Sequence, residues 1–316
     1  MGISRDQALE CLKSDDLIGL GMEADAARRR LHPEGVATYA VGCTADLWSL
    51  LAARSDAEER LDRALAQIGD SVAEGATGLR LLGAQNGAGC GMDGLEWLES
   101  VLREMRHQFP ALWIEGFPAA EAAELARSCG LSLRELALRL HDAGLDAIAG
   151  DGPNLADPVA AAEWLGVHGA AHAAGMATVA GVVFGAGETP EQLADFLNDI
   201  RALQEQTGGF VAAAPLAVRA ASGRQLDSVT AVQRLRTVAV ARIFFDSIEH
   251  IQADGAVNGI DGLKVLQTAL RFGANDLGML AAQGSSRSEE DARRIIRDAG
   301  LRPAERDSAW RVRMLS

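Results

Sequence analysis

The spacing of apolar residues along the chain switches repeatedly between two patterns, that of a strand and that of a helix. Short apolar runs rich in β-forming residues are each followed by a longer stretch in which apolar residues recur every three or four positions, as on one face of a helix. Eight such runs are predicted as strands, at residues 36–42, 77–83, 112–117, 145–150, 177–185, 209–216, 249–254 and 273–279. The stretches between them are predicted as helices, so the pattern indicates a parallel sheet covered by helices.

The number of strands favours a closed barrel. Eight strands alternating with helices fit a (β/α)8 barrel of the TIM type better than an open doubly wound sheet. A doubly wound dinucleotide-binding fold carries a GxGxxG turn after its first strand, whereas CTADLW follows here. Residues 1–33 are predicted as helices packed on the barrel. Because no linker divides the chain, we predict that residues 1–316 form a single barrel domain.

Composition and charge restrict the class of protein. Hydrophobic residues make up 48% and charged residues 23%, as in an ordinary globular protein. We find no uncharged apolar run of about 18 residues and no apolar signal-peptide core, so we expect a cytoplasmic protein without a membrane span. The net charge of -14 repels phosphate backbones, so we do not expect a nucleic acid partner.

The four cysteines stand apart, at Cys11, Cys43, Cys90 and Cys129. None has the close spacing of a zinc or iron–sulfur motif. In a chain without secretory features, such isolated cysteines are expected to be free thiols. We therefore predict no bound metal.

Candidate chemistry comes from polar residues near the predicted strand ends, because TIM barrels build their active sites at the C-terminal ends of the strands. The candidate acid–base residues are Glu115, His250 and Asp276. The candidate ligand-binding residues are Cys43, Gln85, Asn86, Glu121, Glu188, Gln252 and Asn275. For each of them, a structural role in a salt bridge or in the core is the alternative.

The spacing within two strands makes the expectation more specific. His250 and Gln252 are two residues apart on one strand, so their side chains share a face. We expect both to point into the barrel mouth beside Asn275 and Asp276, with Cys43 next to them and Glu115 across the mouth. His168 and His172, four residues apart on a helix of the outer layer, have the spacing of a metal-binding pair, but they are expected to be polar surface positions.

Several segments resemble one family. They include FGAGETPEQLADFLNDIRALQEQTGGF, LRTVAVARIFFDSIEHIQA and LQTALRFGANDLG. From about residue 3 to 312, the chain resembles the radical SAM enzymes of menaquinone biosynthesis by the futalosine route, and among them most closely the cyclic dehypoxanthinyl futalosine synthases. The resemblance implies a TIM barrel whose mouth holds a [4Fe–4S] cluster and SAM.

The chain departs from that family where the cofactors bind. The family carries a CxxxCxxC loop after its first strand, whereas this chain has GCTADLW at residues 42–48, in what looks like a shortened loop. The Gly-Gly-containing turn that receives SAM in related enzymes is replaced by LGAQN at residues 82–86. Neither the cluster nor SAM is therefore expected in this chain.

These departures predict a pseudoenzyme: a cluster-less, non-catalytic homologue that binds a small nucleoside-like molecule or serves a catalytic paralogue as a partner. Two alternatives stay open. The chain is an enzyme with changed, divalent-metal chemistry on a nucleoside-like metabolite, or it keeps the family activity with a cluster supplied by another chain.

Overall fold

The computed structural model describes residues 2–46, 57–82, 91–218, 229–253, 259–281 and 289–315. Within them the helices are α1 (Arg5–Lys13), α2 (Leu17–Leu31), α3 (Ala57–Ala73), α4 (Gly91–Gln108), α5 (Ala119–Cys129), α6 (Leu133–Ala143), α7 (Pro158–Ala173), α8 (Pro190–Thr207), α9 (Ala231–Phe244), α10 (Gly259–Arg271) and α11 (Glu289–Asp298). The strands are β1 (Val36–Ala45), β2 (Gly78–Leu81), β3 (Trp113–Glu115), β4 (Thr178–Phe184), β5 (Phe210–Ala217), β6 (His250–Ile251), β7 (Asp276–Ala281), β8 (Arg302–Arg306) and β9 (Val312–Leu315).

Parallel pairing carries the strands around a barrel. β1 pairs with β2, β2 with β3, and Glu115 of β3 bridges to Ala147 in the fourth predicted strand. Further round, β4 pairs with β5 and β5 with β6, and the Gln252–Asp276 bridge leads on to β7. β7 returns to β1. Within the described residues no backbone pairing joins the segment around Ala147 to β4, so the ring of hydrogen bonds is interrupted there. The order of the strands is that of the predicted (β/α)8-type barrel, which is confirmed.

Local sequence explains where several helices begin. Ser132 caps α6 and accepts a hydrogen bond from the backbone N–H of Glu135, whose side chain reaches back in a capping box. Thr189 caps α8 in the same way, and Pro190 occupies the first helical position, where its missing N–H costs nothing. No helix in the described ranges is long and apolar enough to cross a membrane.

The alternation of side chains along the strands separates the core from the lumen. Leu79 and Leu81 of β2 are 1% exposed and pack in the apolar layer between sheet and helices. Gly78 and Arg80, on the opposite face, line the lumen. Outside this layer, α1 packs on α8 and α9, and α2 packs on α9 and α10.

A C-terminal hairpin lies at the lower end of the barrel, where the strands begin. β8 runs parallel to the first half of β1, from the pair Val36–Arg302 onward, and β9 folds back antiparallel on β8. The turn between them reaches the start of β2, because the Ser308 hydroxyl lies 3.3 Å from the Thr77 hydroxyl. The hairpin therefore contributes side chains to the floor of the lumen.

Candidate functional site

Glu115 and Arg80 form an ion pair on the lumen side of the sheet, near the C-terminal ends of their strands. The Arg80 Nε and a terminal guanidinium nitrogen donate to the same Glu115 oxygen, at 3.1 and 3.0 Å. The backbone N–H of Gly150 donates to the other oxygen at 3.0 Å. Both carboxylate oxygens are therefore engaged, and the Glu115 charge raises the pKa of the Arg80 guanidinium.

Asp151 stands beside this ion pair. Burial, followed by the charges of Glu115 and Glu121, raises the pKa of Asp151 to about 6, although the backbone N–H of Ala119 donates to it at 3.3 Å. A carboxyl group with such a pKa exchanges its proton near neutral pH, which suits general acid–base chemistry. The sequence places Asp151 directly after the fourth predicted strand, among the polar residues at the strand ends, but no role was predicted for it.

The other candidate residues predicted for the barrel mouth differ in the contacts that they make. Glu121 lies in the first turn of α5, where its charge acts on Asp151. Glu188 accepts the backbone N–H groups of Gly185 and Ala186 at 2.7 and 2.8 Å, so it closes its own turn after β4. Gln85 and Asn86 lie outside the described residues.

Asp276 is fully buried at the start of β7. Arg306 of the hairpin donates to both of its carboxylate oxygens, at 2.6 and 3.0 Å. The Thr38 hydroxyl donates at 2.6 Å and the Gln252 amide at 2.9 Å. Burial by itself raises the pKa of Asp276, but Arg306 and Thr38 outweigh burial and lower it below its ordinary value. The carboxylate is therefore charged and its oxygens are committed to these partners.

Asn275 organises the neighbouring polar groups. Its side-chain oxygen accepts from Arg242 at 2.6 Å and from the backbone N–H of Ile251 at 2.9 Å. Its amide nitrogen lies 2.9 Å from His250 Nδ1. Burial lowers the pKa of His250 to about 4, so this imidazole is neutral at pH 7. A neutral imidazole accepts the amide proton at Nδ1 and keeps its own proton on Nε2.

The position of this group corrects the sequence analysis. His250, Gln252, Asn275 and Asp276 do come together, but at the N-terminal ends of the strands and not at the mouth. His250 is paired with Ala212, close to the start of β5, and Asp276 with Thr38, close to the start of β1. The sequence placed these residues within strands, but the register between strands decides the end at which they lie.

Cys43 does not join the group either. It is 9% exposed and belongs to the apolar layer between sheet and helices, where Ser71 of α3 is its hydrogen-bonding partner. Burial raises the pKa of this thiol, which disfavours the thiolate. The other described cysteines, Cys11 and Cys129, lie on α1 and α5 and are free thiols. Cys90 lies outside the described residues.

The paired histidines of α7 also differ from expectation. His168 is 0% exposed, so the prediction of a surface position was wrong, because this face of α7 packs on the sheet. Its Nδ1 and the Nε2 of His172 share the Thr178 hydroxyl at 2.9 and 2.8 Å. Burial lowers the pKa of His168 to about 3 and that of His172 to about 4, so both are neutral at pH 7. His168 lies in the core, and His172 is half-buried beside it.

A cavity of about 70 Å³ occupies the lumen between the two polar groups. Its polar and aromatic lining includes Arg80, Trp113, Glu115, Gln252, Arg306 and Trp310. Across the described ranges, no three His, Cys, Asp or Glu side chains are grouped so that they could hold a metal ion. No role was predicted from the sequence for Arg80, Arg306 or Trp310. The sequence could have pointed to Arg80, because it is a charged residue two positions from Gly78 in an otherwise apolar strand. No comparable feature of the sequence marks the two hairpin residues.

Comparison with known proteins gives the relatives of the chain. No protein-family model matches it. It is 28% identical to cyclic dehypoxanthine futalosine synthase of Streptomyces coelicolor over 345 aligned positions, which cover 98% of this chain and 85% of the relative. It is 30% identical to aminodeoxyfutalosine synthase of Thermus thermophilus over 242 positions, which cover 67% of this chain and 63% of the relative.

The solved structure of methylornithine synthase has the same fold. It superposes with a TM-score of 0.66 over 98% of this chain and 96% of its own length, at 13% sequence identity. The sequence relatives agree with the family that the motifs indicated. Over nearly its whole length the chain is therefore a relative of the cyclic dehypoxanthine and aminodeoxyfutalosine synthases.

Proposed function

We propose that this chain is a family member that binds a polar, nucleoside-like molecule in its lumen but neither holds a [4Fe–4S] cluster nor cleaves SAM. The observation that carries the proposal is the thiol donor set. A cluster of the family type needs three thiolates from one turn after the first strand. Cys43 is the single cysteine from β1 to β2 in the sequence, and its thiol is buried on the helix side of the sheet.

The other cysteines do not replace the missing ligands. Cys11 and Cys129 are on helices of the outer layer, and Cys90 lies far along the chain from the turn after β1. The residues present therefore do not fit the cluster. The S. coelicolor alignment has 345 positions, more than the 316 residues of this chain, so this chain has gaps where that relative has residues.

The lumen retains groups that suit a polar ligand. The Arg80–Glu115 pair, the Gln252 amide and two indole rings surround the cavity. Its volume of about 70 Å³ holds only part of a nucleoside-sized ligand, so in this proposal the rest of the molecule lies in the mouth above the Arg80–Glu115 pair. Guanidinium, carboxylate and amide groups hydrogen-bond to hydroxyls and base edges, and aromatic rings pack on planar bases. In this proposal the protein acts in the cytoplasm, in or near the futalosine route, and an intact cluster-bearing homologue is its natural partner.

Anaerobic reconstitution with iron and sulfide tests the cluster part. We expect no visible iron–sulfur absorption band and less than one iron per chain, with the same result for Cys43→Ala. A band with about four irons per chain, or 5′-deoxyadenosine formed from SAM under reducing conditions, would contradict the proposal. A cluster that forms only when a second chain is added would favour the alternative in which the ligands come from a partner.

Calorimetric titration with nucleosides, futalosine derivatives and SAM tests the binding part. We expect a nucleoside-like compound to bind, and Glu115→Gln to weaken that binding by tenfold or more because it removes the charge that orients Arg80. Glu205→Gln, an exposed substitution on α8 with the same charge change, is the control. Equal affinities for the two variants would refute the assignment of the lumen.

One observation favours a second candidate function, an enzyme with changed chemistry. Asp151, with its pKa raised to about 6 beside Glu115, has the proton affinity of a general acid or base. If it is one, turnover of a nucleoside-like substrate follows a pH–rate profile with an apparent pKa near 6, and Asp151→Asn abolishes that limb. Absence of turnover at every pH excludes this candidate.

A further inference from the structure

A second and larger cavity lies at the lower end of the barrel, away from the mouth. Its volume is about 640 Å³, within the range of about 300–1,000 Å³ that small-molecule sites occupy. It is bounded by the starts of β1 and β5, the segments before β1 and β6, and the C-terminal hairpin. The proposed function makes no use of it.

Stacked rings form one wall of this lower cavity. His32 and His250 lie 5.5 Å apart between ring centroids, and His250 and Trp310 lie 4.8 Å apart with an angle of 24° between their planes. Trp310 lines both the lower cavity and the lumen, so its indole separates the two. The Arg306 guanidinium covers the indole at 3.7 Å from its centroid.

The backbone at Trp310 is strained. Its φ of 66° lies in the left-handed region, which costs a non-glycine residue about 1–3 kcal/mol. The hairpin turn compensates, because the Trp310 N–H donates to the Asp307 carbonyl at 3.1 Å. A strained backbone of this kind persists only where the surrounding structure holds it in place. Here the hairpin turn holds the Trp310 ring between the two cavities.

The polar groups of the cavity favour a ligand that donates hydrogen bonds. His32 Nε2 is engaged inside the wall, 2.9 Å from the Glu249 carbonyl and 3.1 Å from the Asn275 amide nitrogen. Glu34 Oε1 lies 3.4 Å from His32 Nδ1, and Glu249 Oε1 lies 3.9 Å from His250 Nε2. Arg302, the cation of this wall, donates to the Glu34 carbonyl.

We propose that the lower cavity is a second binding site, for a small molecule that carries a primary ammonium group. An ammonium group has three donors and no acceptor. It matches the carboxylates of Glu34 and Glu249, while the carbon skeleton of the ligand lies against the edge of Trp310. The net charge of -14 also draws a cation to the protein.

The experiment compares 1,4-diaminobutane with its uncharged analogue 1,4-butanediol, followed by calorimetry and tryptophan fluorescence. We expect saturable binding of the diamine and none of the diol. Glu249→Gln should weaken diamine binding at least tenfold, and the double substitution Glu34→Gln/Glu249→Gln should abolish it. Because both side chains are exposed, the fold is expected to tolerate these changes.

Glu205→Gln, outside the cavity, is the matched control and should leave the diamine affinity unchanged. The proposal fails if the diol binds as well as the diamine, or if Glu205→Gln weakens binding as much as Glu249→Gln. It also fails if no saturation is seen up to about 10 mM. Whether or not the diamine binds, the proposed nucleoside site in the lumen is tested separately, by the nucleoside titration.

Discussion

The buried ion pair between Asp276 and Arg306 is expected to be a main determinant of stability at the lower end of the barrel. The two side chains are 0% and 4% exposed. Replacing Arg306 by Met keeps most of the side-chain volume but leaves a buried carboxylate without its cation. Removing one partner of such a pair costs about 3–5 kcal/mol. Thr38 and Gln252 still donate to the carboxylate, so we expect the lower end, about 3 kcal/mol.

Urea unfolding followed by circular dichroism measures this cost. At a slope of about 3 kcal/mol per M, Arg306→Met lowers the midpoint by about 1 M. Asp276→Asn should have a similar effect, because it leaves the guanidinium unpaired. The double variant should cost less than the sum of the two single variants by more than about 1 kcal/mol, since it removes both charges. The control Arg313→Met removes the exposed partner of a half-exposed pair with Glu305 and should cost less than about 1 kcal/mol.

The pH dependence gives a second measurement on the same pair. The pKa of Asp276 is lower in the folded protein than in the unfolded chain, so its contribution is complete above the unfolded pKa of about 4 and is lost as the pH falls through the folded value. In Arg306→Met the pKa of this carboxyl rises, so the deficit relative to the unsubstituted protein shrinks from pH 7 to pH 4. A cost below about 1 kcal/mol at pH 7, or strict additivity in the double variant, would refute this reasoning.

Three further predictions concern single buried groups. Asp151→Asn should raise the melting temperature at pH 8 but not at pH 4, because a pKa raised to about 6 means that folding is penalised once the carboxyl ionises. His168→Leu should reduce the loss of stability between pH 6.5 and pH 4 seen by calorimetry, because a folded pKa of about 3 makes the unfolded chain bind more protons there. Arg242→Met should lower the free energy of unfolding by about 3 kcal/mol in urea titrations, since the buried guanidinium donates to Asn275 and two backbone carbonyls.

Most of the order of strands and helices could be predicted from the sequence because it depends on local signals. The exception is the fourth predicted strand, at 145–150, which forms only the bridge from Ala147 to Glu115. The apolar period distinguishes strand from helix within a window of a few residues. The capping boxes at Ser132 and Thr189 are complete within four residues, so the starts of α6 and α8 could be predicted too. The scarcity and isolation of the cysteines are likewise properties of the sequence, and the proposal of a cluster-less protein begins from them.

The candidate site could be predicted only in part. The period of two correctly grouped His250 with Gln252, and chain order placed both beside Asn275 and Asp276. The end of the barrel at which they lie depends on register, which is fixed by backbone hydrogen bonds between segments far apart in sequence. Whether the Cys43 side chain points to the lumen or to the helices also depends on the tertiary structure, which places it in the apolar layer on the helix side of β1.

What the sequence by itself determined is the barrel, the resemblance to one family and the missing thiol motif, because each is written in local or compositional patterns. What only the tertiary structure decided is which side chains meet. Arg306 and Trp310 lie far along the chain from Asp276 and His250, yet they become their partners because β8 pairs with the start of β1 and carries the hairpin under the lumen. Contacts between segments so distant in sequence leave no periodic signal along the chain, so they could be seen only in the folded protein.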